Sequence, residues 1–234
     1  MNASARRQMT VVAVLFAFGA LVIGVLSSFF WPLIGLAFDG RRSGHLYSIP
    51  SQSMMPALIP GDRIIPRELL AGEPMRGEVV VYRRTAKDVR VARVAAVGGD
   101  LITLRAGVPW INGVAARRRD LGDGPTVENR MQTRLFAERL PGERGSHRIL
   151  RVPIAPFDDF PETKVPPGRL FLLGDNRDQS ADSRYAIADM GAGLVTVGQV
   201  LGVVDYVAWS TVKARMARPI DLPGPVNARE GAKQ

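Results

Sequence analysis

The chain of 234 residues contains no cysteine, two histidines (His45 and His147) and four lysines (Lys87, Lys164, Lys213 and Lys233). The missing cysteines exclude a disulfide-stapled scaffold, thiolate metal sites and cysteine nucleophiles. They leave the redox compartment undecided. With lysine so scarce, the 31 basic residues are nearly all arginine, a side chain that stays protonated and cannot act as a base. Charged residues at 23% and hydrophobic ones at 46% exclude disorder of the chain as a whole. The length allows one domain or two small ones with a real core, and 24 glycines with 17 prolines favour many turns and a β-rich fold.

Charge is also missing from one long stretch. Between Gln8 and Phe38 there is no charged residue, and Val11 to Phe30 is almost wholly apolar. About 20 such residues are needed to cross a bilayer as a helix. A buried core helix of this length would show a polar face, and a cleavable signal peptide has a shorter apolar region of about 7–15 residues. A single uncleaved transmembrane helix is therefore expected, with Trp31-Pro32 at the outer interface. Arg6 and Arg7 before it are balanced by Asp39, Arg41 and Arg42 after it, so flanking charge does not set the orientation.

Beyond Phe38 the sequence breaks into short apolar runs, at 62–66, 78–82, 89–97, 101–104 and 108–111. Turn signals separate them, including Pro60-Gly61-Asp62, Gly98-Gly99-Asp100 and Asn112-Gly113. This spacing predicts an antiparallel sheet or barrel. Residues 115–168 are more polar, with Arg117-Arg118-Arg119 and several prolines, and read as an inserted subdomain. Strands return from Arg169 to Asp205, and a basic, Pro/Gly-rich tail closes the chain.

Three segments carry possible chemistry. In Pro50-Ser51-Gln52-Ser53-Met54-Met55-Pro56, two nearby hydroxyls offer a nucleophile and a donor for the charge that develops on an attacked carbonyl. Taken alone, Ser-x-Ser is a common polar loop. Gly174 to Arg184 packs three aspartates and two arginines into ten residues after an apolar strand, either as an exposed turn or as paired charges locking a loop. In Val89 to Asp100, strand alternation groups Arg93 with Val89, Val91 and Val97, and Ala92 with Arg90 and Val94. An arginine on an apolar face needs a carboxylate or must snorkel to the surface, and an aspartate of 174–184 is the predicted partner for Arg93.

Together these segments, with Arg76-Gly77-Glu78-Val79-Val80-Val81, Ile111-Asn112-Gly113 and Val165-Pro166-Pro167-Gly168, resemble bacterial signal peptidase I over residues 45–210. That family comprises membrane-bound serine endopeptidases that remove signal peptides from exported proteins. The resemblance implies a mainly β fold: an antiparallel catalytic core (45–103 plus 168–210), an inserted smaller β subdomain (104–167), one N-terminal transmembrane anchor (1–38) and a basic tail (211–234). It implies Ser53 as nucleophile, Ser51 as a support of the oxyanion hole, Ser180 as the residue orienting the base, and Arg93, Asp175, Asp182 and Arg184 as an ion-pair frame. It also implies a single-pass protein of the cytoplasmic (inner) membrane with its catalytic domain on the periplasmic side. The implied substrates are signal peptides with small residues one and three positions before the cut, and neither metal nor organic cofactor is needed.

One departure stands out. The family's general-base lysine immediately precedes the arginine matching Arg93, and here that position is Ala92. A methyl group accepts no proton. Lys87 lies five residues upstream, roughly 16 Å along a strand, and His45 is a weak substitute. The sequence therefore predicts crippled proteolysis. Two readings follow: a signal peptidase I-type endopeptidase that removes signal peptides, either an engineered lysine-to-alanine form or a natural one with an unexpected base, or an impaired or inactive homologue, natural or engineered, acting as a peptide-binding membrane protein. A conjugative-pilus peptidase differs from these mainly in substrate, while a self-cleaving repressor has no use for the anchor. No recognition helix accompanies the dispersed arginines, so nucleic acid is not an expected partner. The net charge of +9 instead suits the anionic headgroups of the lipid bilayer.

Overall fold

A computed structural model describes residues 44–69, 72, 74–153 and 159–220, together with Leu21 and Gly24. The chain divides into two compact units, 1–40 and 41–234, and the following description concerns the second. The expected transmembrane segment and residues 221–234 lie outside the described residues. Among the described residues, no helix is long and apolar enough to cross a membrane.

The second unit consists of strands and short 3-10 turns. Its first half contains β1 (Tyr47–Ser48), β2 (Arg63–Ile64), β3 (Val79–Thr85), β4 (Asp88–Val97), β5 (Leu101–Arg105), β6 (Val108–Ile111), β7 (Val114–Ala115) and β8 (Arg117–Asp123). There follow β9 (Arg134–Arg139), β10 (His147–Arg151), β11 (Phe160–Lys164), β12 (Arg169–Leu173), β13 (Val195–Thr196), β14 (Val200–Val204), β15 (Tyr206–Val207) and β16 (Arg218–Pro219).

The central antiparallel sheet has the order β13-β12-β4-β3-β14. Its middle strands are apolar on both faces because both are covered. Val80, Ala92, Val94, Leu170 and Leu172 pack on one side, while Val79 and Val81 join Ile49, Met54, Leu58 and Ile64 on another. The polar stretch expected as an insertion forms two further sheets, β11-β5-β6-β7 and β10-β9-β8. Because β5 is continuous from Leu101, the first of them begins three residues before the expected boundary at 104. Ile102, Leu104, Ile111 and Val165 bind it to Ala95, Ala96, Phe171 and Leu173 of the central sheet.

Strand alternation placed Val97 with Arg93, but the register shift opposite Phe171/Leu172 interrupts β4 after Val94. Val97 consequently packs with Ala92 and Val94, and Ala95 and Ala96 both join the other cluster. A bulge adds one residue and reverses the facing beyond it, which strict period-2 counting cannot register. The first residues expected in the tail are also ordered: β16 pairs with β15, and the Arg215 guanidinium donates to Asp62 (2.8 Å) and to the Ala57 carbonyl (2.6 Å).

Candidate active site

The serine segment forms a tight turn in which the Met55 and Leu58 amides donate to the Gln52 and Met54 carbonyls, with Met55–Pro56 in the cis form. The Oγ atoms of Ser51 and Ser53 are 3.0 Å apart at the surface. Asn176 ties this turn to the acidic-arginine loop: its backbone N–H donates to the Ser53 carbonyl (3.0 Å), and its Nδ2 donates to the Gln52 carbonyl (3.1 Å). Gln52 also accepts the Glu128 amide of the insertion (2.9 Å), so the turn is gripped from both sides.

Gly174 is the meeting point. A Cβ there would collide with Ser180 and stand 2.8 Å from the Ser53 carbonyl oxygen. Leu172↔Val94 and Leu173↔Arg93 are the last pairs of β12 with β4, and extending that register by one residue sets Gly174 across from Ala92. The backbone thus brings Ser180 and the Ser53 carbonyl together at Gly174, just beyond the last β12–β4 pair. Gly174→Ala is expected to displace Ser180 and the Ser53 turn while leaving the core intact. Digestion of the 51–56 segment by a broad-specificity protease such as proteinase K should accelerate several-fold, with a melting temperature only a few degrees lower.

Ala92 is 3% exposed, opposite Val80 and packed with Tyr82, Val94, Leu170 and Leu172. Tyr82 belongs to that cluster, and burial, with Asp182 and Asp88 nearby, pushes its hydroxyl up to about 12, out of range of a base at neutral pH. Arg90, two residues earlier on the same face, donates to the carbonyls of Ala181 (3.3 Å) and Met190 (2.8 Å). Lys87 lies exposed in the β3–β4 hairpin turn. His147 is buried elsewhere, and the ring of His45 lies beside that of Tyr47 at 6.5 Å.

The ion-pair frame takes shape as follows. Arg93 and Asp175, each about 1% exposed, form a two-pronged pair at 2.7 Å for both contacts, and the third arm of Arg93 donates to the Gly77 carbonyl (2.6 Å). The predicted aspartate partner in the 174–184 segment is Asp175. Asp182 accepts the Gly174 amide (3.0 Å) and both arms of Arg184 (2.8 Å each), which fixes the loop on either side of Ser180.

A buried cluster of the insertion continues this support. Glu138 (β9) is fully buried and accepts Arg177 of the acidic-arginine loop and Arg118 of β8. His147 (β10) lies between Glu143 (2.9 Å) and Glu138 (3.4 Å). The face rule that singled out Arg93 also applies to Glu138, two residues from Phe136 on the same side of β9. Asn176 was within the noted segment, but sequence gave no sign that it binds the serine turn.

Burial alone would raise the Glu138 carboxyl, but Arg177, His147 and Arg118 overcome it and hold the group well below the usual carboxylate range. Burial and the Arg93 charge oppose the His147 imidazolium, whereas Glu138, Glu143 and Asp175 raise it on balance. A raised histidine stabilises fully below its ordinary value of 6.5 and loses that contribution as pH rises through its folded value. A depressed carboxylate stabilises fully above its ordinary 4.5 and loses that contribution as pH falls through its folded value. Thermal melts should therefore weaken at both ends of this range. His147→Gln should remove the alkaline limb alone and cost about 1–3 kcal/mol near pH 6.

Residues 11–209 match the family described as signal peptidase, peptidase S26. The chain belongs to that family. Signal peptidase I of Bacillus caldolyticus is 30% identical over 165 residues, covering 70% of this chain and 78% of that protein. The Bacillus licheniformis enzyme of the same name is 29% identical over 164 residues, covering 69% and 74%. A solved signal peptidase I of Enterococcus faecalis is matched at TM-score 0.33 and 21% identity, over 56% of this chain and 97% of that one, a likeness too low to add to the comparison of folds. The signal peptidase I homologues identify the chain as of the serine endopeptidase type. The β-rich unit with its serine turn and acidic-arginine loop lies largely inside the matched span, while Arg215 and β16 lie beyond it.

Proposed function

We propose that this chain is a membrane-anchored signal peptidase homologue that receives the signal peptides of exported pre-proteins on the outer side of the cytoplasmic membrane. In this reading Ser53 faces the scissile bond, with its hydrolytic rate held down by Ala92. The observation that supports the reading is the approach of Ser180 and the Ser53 carbonyl to Gly174, with the Ser51 and Ser53 hydroxyls 3.0 Å apart in the same turn.

Acyl transfer from a peptide requires the serine hydroxyl to lose its proton as it attacks the carbonyl. Ser51 is close enough to exchange a hydrogen bond with Ser53, but a hydroxyl is no base at neutral pH. Tyr82 holds its proton more tightly than in water. Ser51 and nearby donors retain their use as an oxyanion site, because they act by hydrogen bonding alone. Asp182 and Arg184 keep Ser180 in place whether or not a base is present.

Binding then persists where turnover fails. An extended peptide with small residues one and three positions before the cut adds to a strand edge through backbone hydrogen bonds, and Ala92 takes no part in those bonds. The apolar stretch at 11–30 is read as the anchor, with the second unit outside the cytoplasm. Fluorescence anisotropy of a labelled signal peptide should rise when the full chain in neutral detergent is added. Replacing the small residues with bulky ones should weaken binding at least tenfold, and indifference to them would sink the proposal.

A further inference from the structure

We propose that the outer face of the three-stranded sheet β8-β9-β10 is a docking surface for anionic phospholipid headgroups, formed by Arg117, Arg119, Arg139 and Arg148. Cross-strand partners share a face, so the register decides the arrangement. Arg117 is directly opposite Arg139, and Ala137 sits between Arg119 on one side and Arg148 on the other. All four arginines are exposed. Adjacent strands are about 4.8 Å apart and alternate residues about 7 Å apart, which packs four guanidinium groups around one methyl in a patch roughly 10 Å across.

The two faces of this sheet treat charge in opposite ways. On the inner face Arg118 pairs with Glu138, and elsewhere Arg76 pairs with Asp100, Arg67 with Glu78 and Arg215 with Asp62. Among the described residues, none of the four outer arginines has a carboxylate within ion-pair distance. Arg139 donates only to the Glu143 backbone carbonyl (3.3 Å). Like charges directly opposite each other destabilise a sheet. An array that repels itself and has no internal counter-charge is suited to an anionic surface outside the protein.

The shape selects the kind of anion. The arginines stand on the exposed part of this face, which closes over at Leu150, and no aromatic side chain on which a nucleic-acid base could stack lies among them. Leu121 continues β8 beyond the arginines with 38% exposure, and Leu135 is half-buried on β9, so apolar side chains adjoin the cations as at a membrane interface. The choice of lipid rests on the reading of residues 11–30 as a membrane span, because that span keeps headgroups always available to the chain.

The absence of native cysteine makes a test direct. Ser146→Cys, beside Arg139, gives a unique site for an environment-sensitive fluorophore, and Val114→Cys on β7 serves as the control. The full chain is placed in phosphatidylcholine vesicles with or without 30% phosphatidylglycerol. Quenching of the 146 label by a headgroup-linked quencher should be several-fold stronger with phosphatidylglycerol, fall in high salt, and vanish in the variant with all four arginines changed to Gln. The 114 label should not respond. At about 1 kcal/mol per arginine near an anionic surface, each should contribute roughly fivefold to this association. Relief of repulsion should leave the melting temperature of the quadruple variant unchanged or higher, separating lost docking from lost fold. Equal quenching in both lipids, persistence in the variant, or a response to an added DNA oligonucleotide in place of lipid would overturn the proposal. If the chain fails to insert, the anchor reading fails on its own, and the same vesicles added from outside still test the face.

Discussion

Ala92→Lys is expected to raise cleavage of a pre-protein by at least about a hundredfold, the low end of what a positioned general base supplies. Ser53→Ala in the same chain should abolish the gain. Extending the β12–β4 register by one residue sets Ala92 across from Gly174, whose missing side chain admits Ser180 and the Ser53 carbonyl. A lysine stem there would run through Val80, Val94, Leu170 and Leu172, and this apolar lining would disfavour the charged amine and lower its pKa. The rate should then rise with pH as the amine becomes neutral, a limb that the unaltered chain lacks. Packing a longer side chain into a site only 3% exposed costs about 1–3 kcal/mol. The engineered lysine should therefore lower the melting temperature while raising activity. Ala92→Met separates the two effects, since it adds a similar stem without an amine and should gain no activity.

Asp175→Ala is expected to be the most destabilising single change at the site. It would strip the buried Arg93 guanidinium of the carboxylate that takes two of its arms, while the Gly77 carbonyl keeps the third. Breaking a buried pair in this way costs about 3–5 kcal/mol, a large part of the roughly 5–15 kcal/mol that holds a typical domain folded. Asp175 also hydrogen-bonds through its backbone carbonyl to the Leu150 amide (2.9 Å), so the acidic-arginine loop and the insertion should loosen together. Urea unfolding should show the loss as a lower midpoint. Arg93→Met with Asp175→Leu removes both charges and should recover most of the stability. If the double variant were as unstable as Asp175→Ala, packing rather than an uncompensated charge would be responsible.

How far the sequence could be read depended on the range of the interaction. The strands around Val79–Thr85 and Leu101–Ile111 follow from apolar runs and turn residues, because both signals act over a few neighbours. Arg93 could be assigned an aspartate partner, although Asp175 is 82 positions away, because a buried cation must have one and the 174–184 segment offered three. The Val97 facing could not be read in the same way, since the β4 bulge is set by pairing with β12, a strand more than seventy residues away. Likewise Asn176 carries no local mark of its hold on Gln52 and Ser53, and the Arg215–Asp62 contact joins residues more than 150 positions apart. At the candidate site the residue types were legible as a set, whereas Gly174 as their point of contact became visible only when three segments came together.

The most direct test of the account is whether the unaltered chain cuts. Full chain, Ser53→Ala and Ala92→Lys should be reconstituted side by side with a pre-protein, and the release of its mature N-terminus followed by mass spectrometry across pH 6–9. The account predicts that the unaltered chain differs little from Ser53→Ala, although both bind the signal peptide, and that only Ala92→Lys cleaves rapidly, with a rate rising with pH. Fast, Ser53-dependent cleavage by the unaltered chain, matching that of Ala92→Lys, would contradict it and require another base at Ser53.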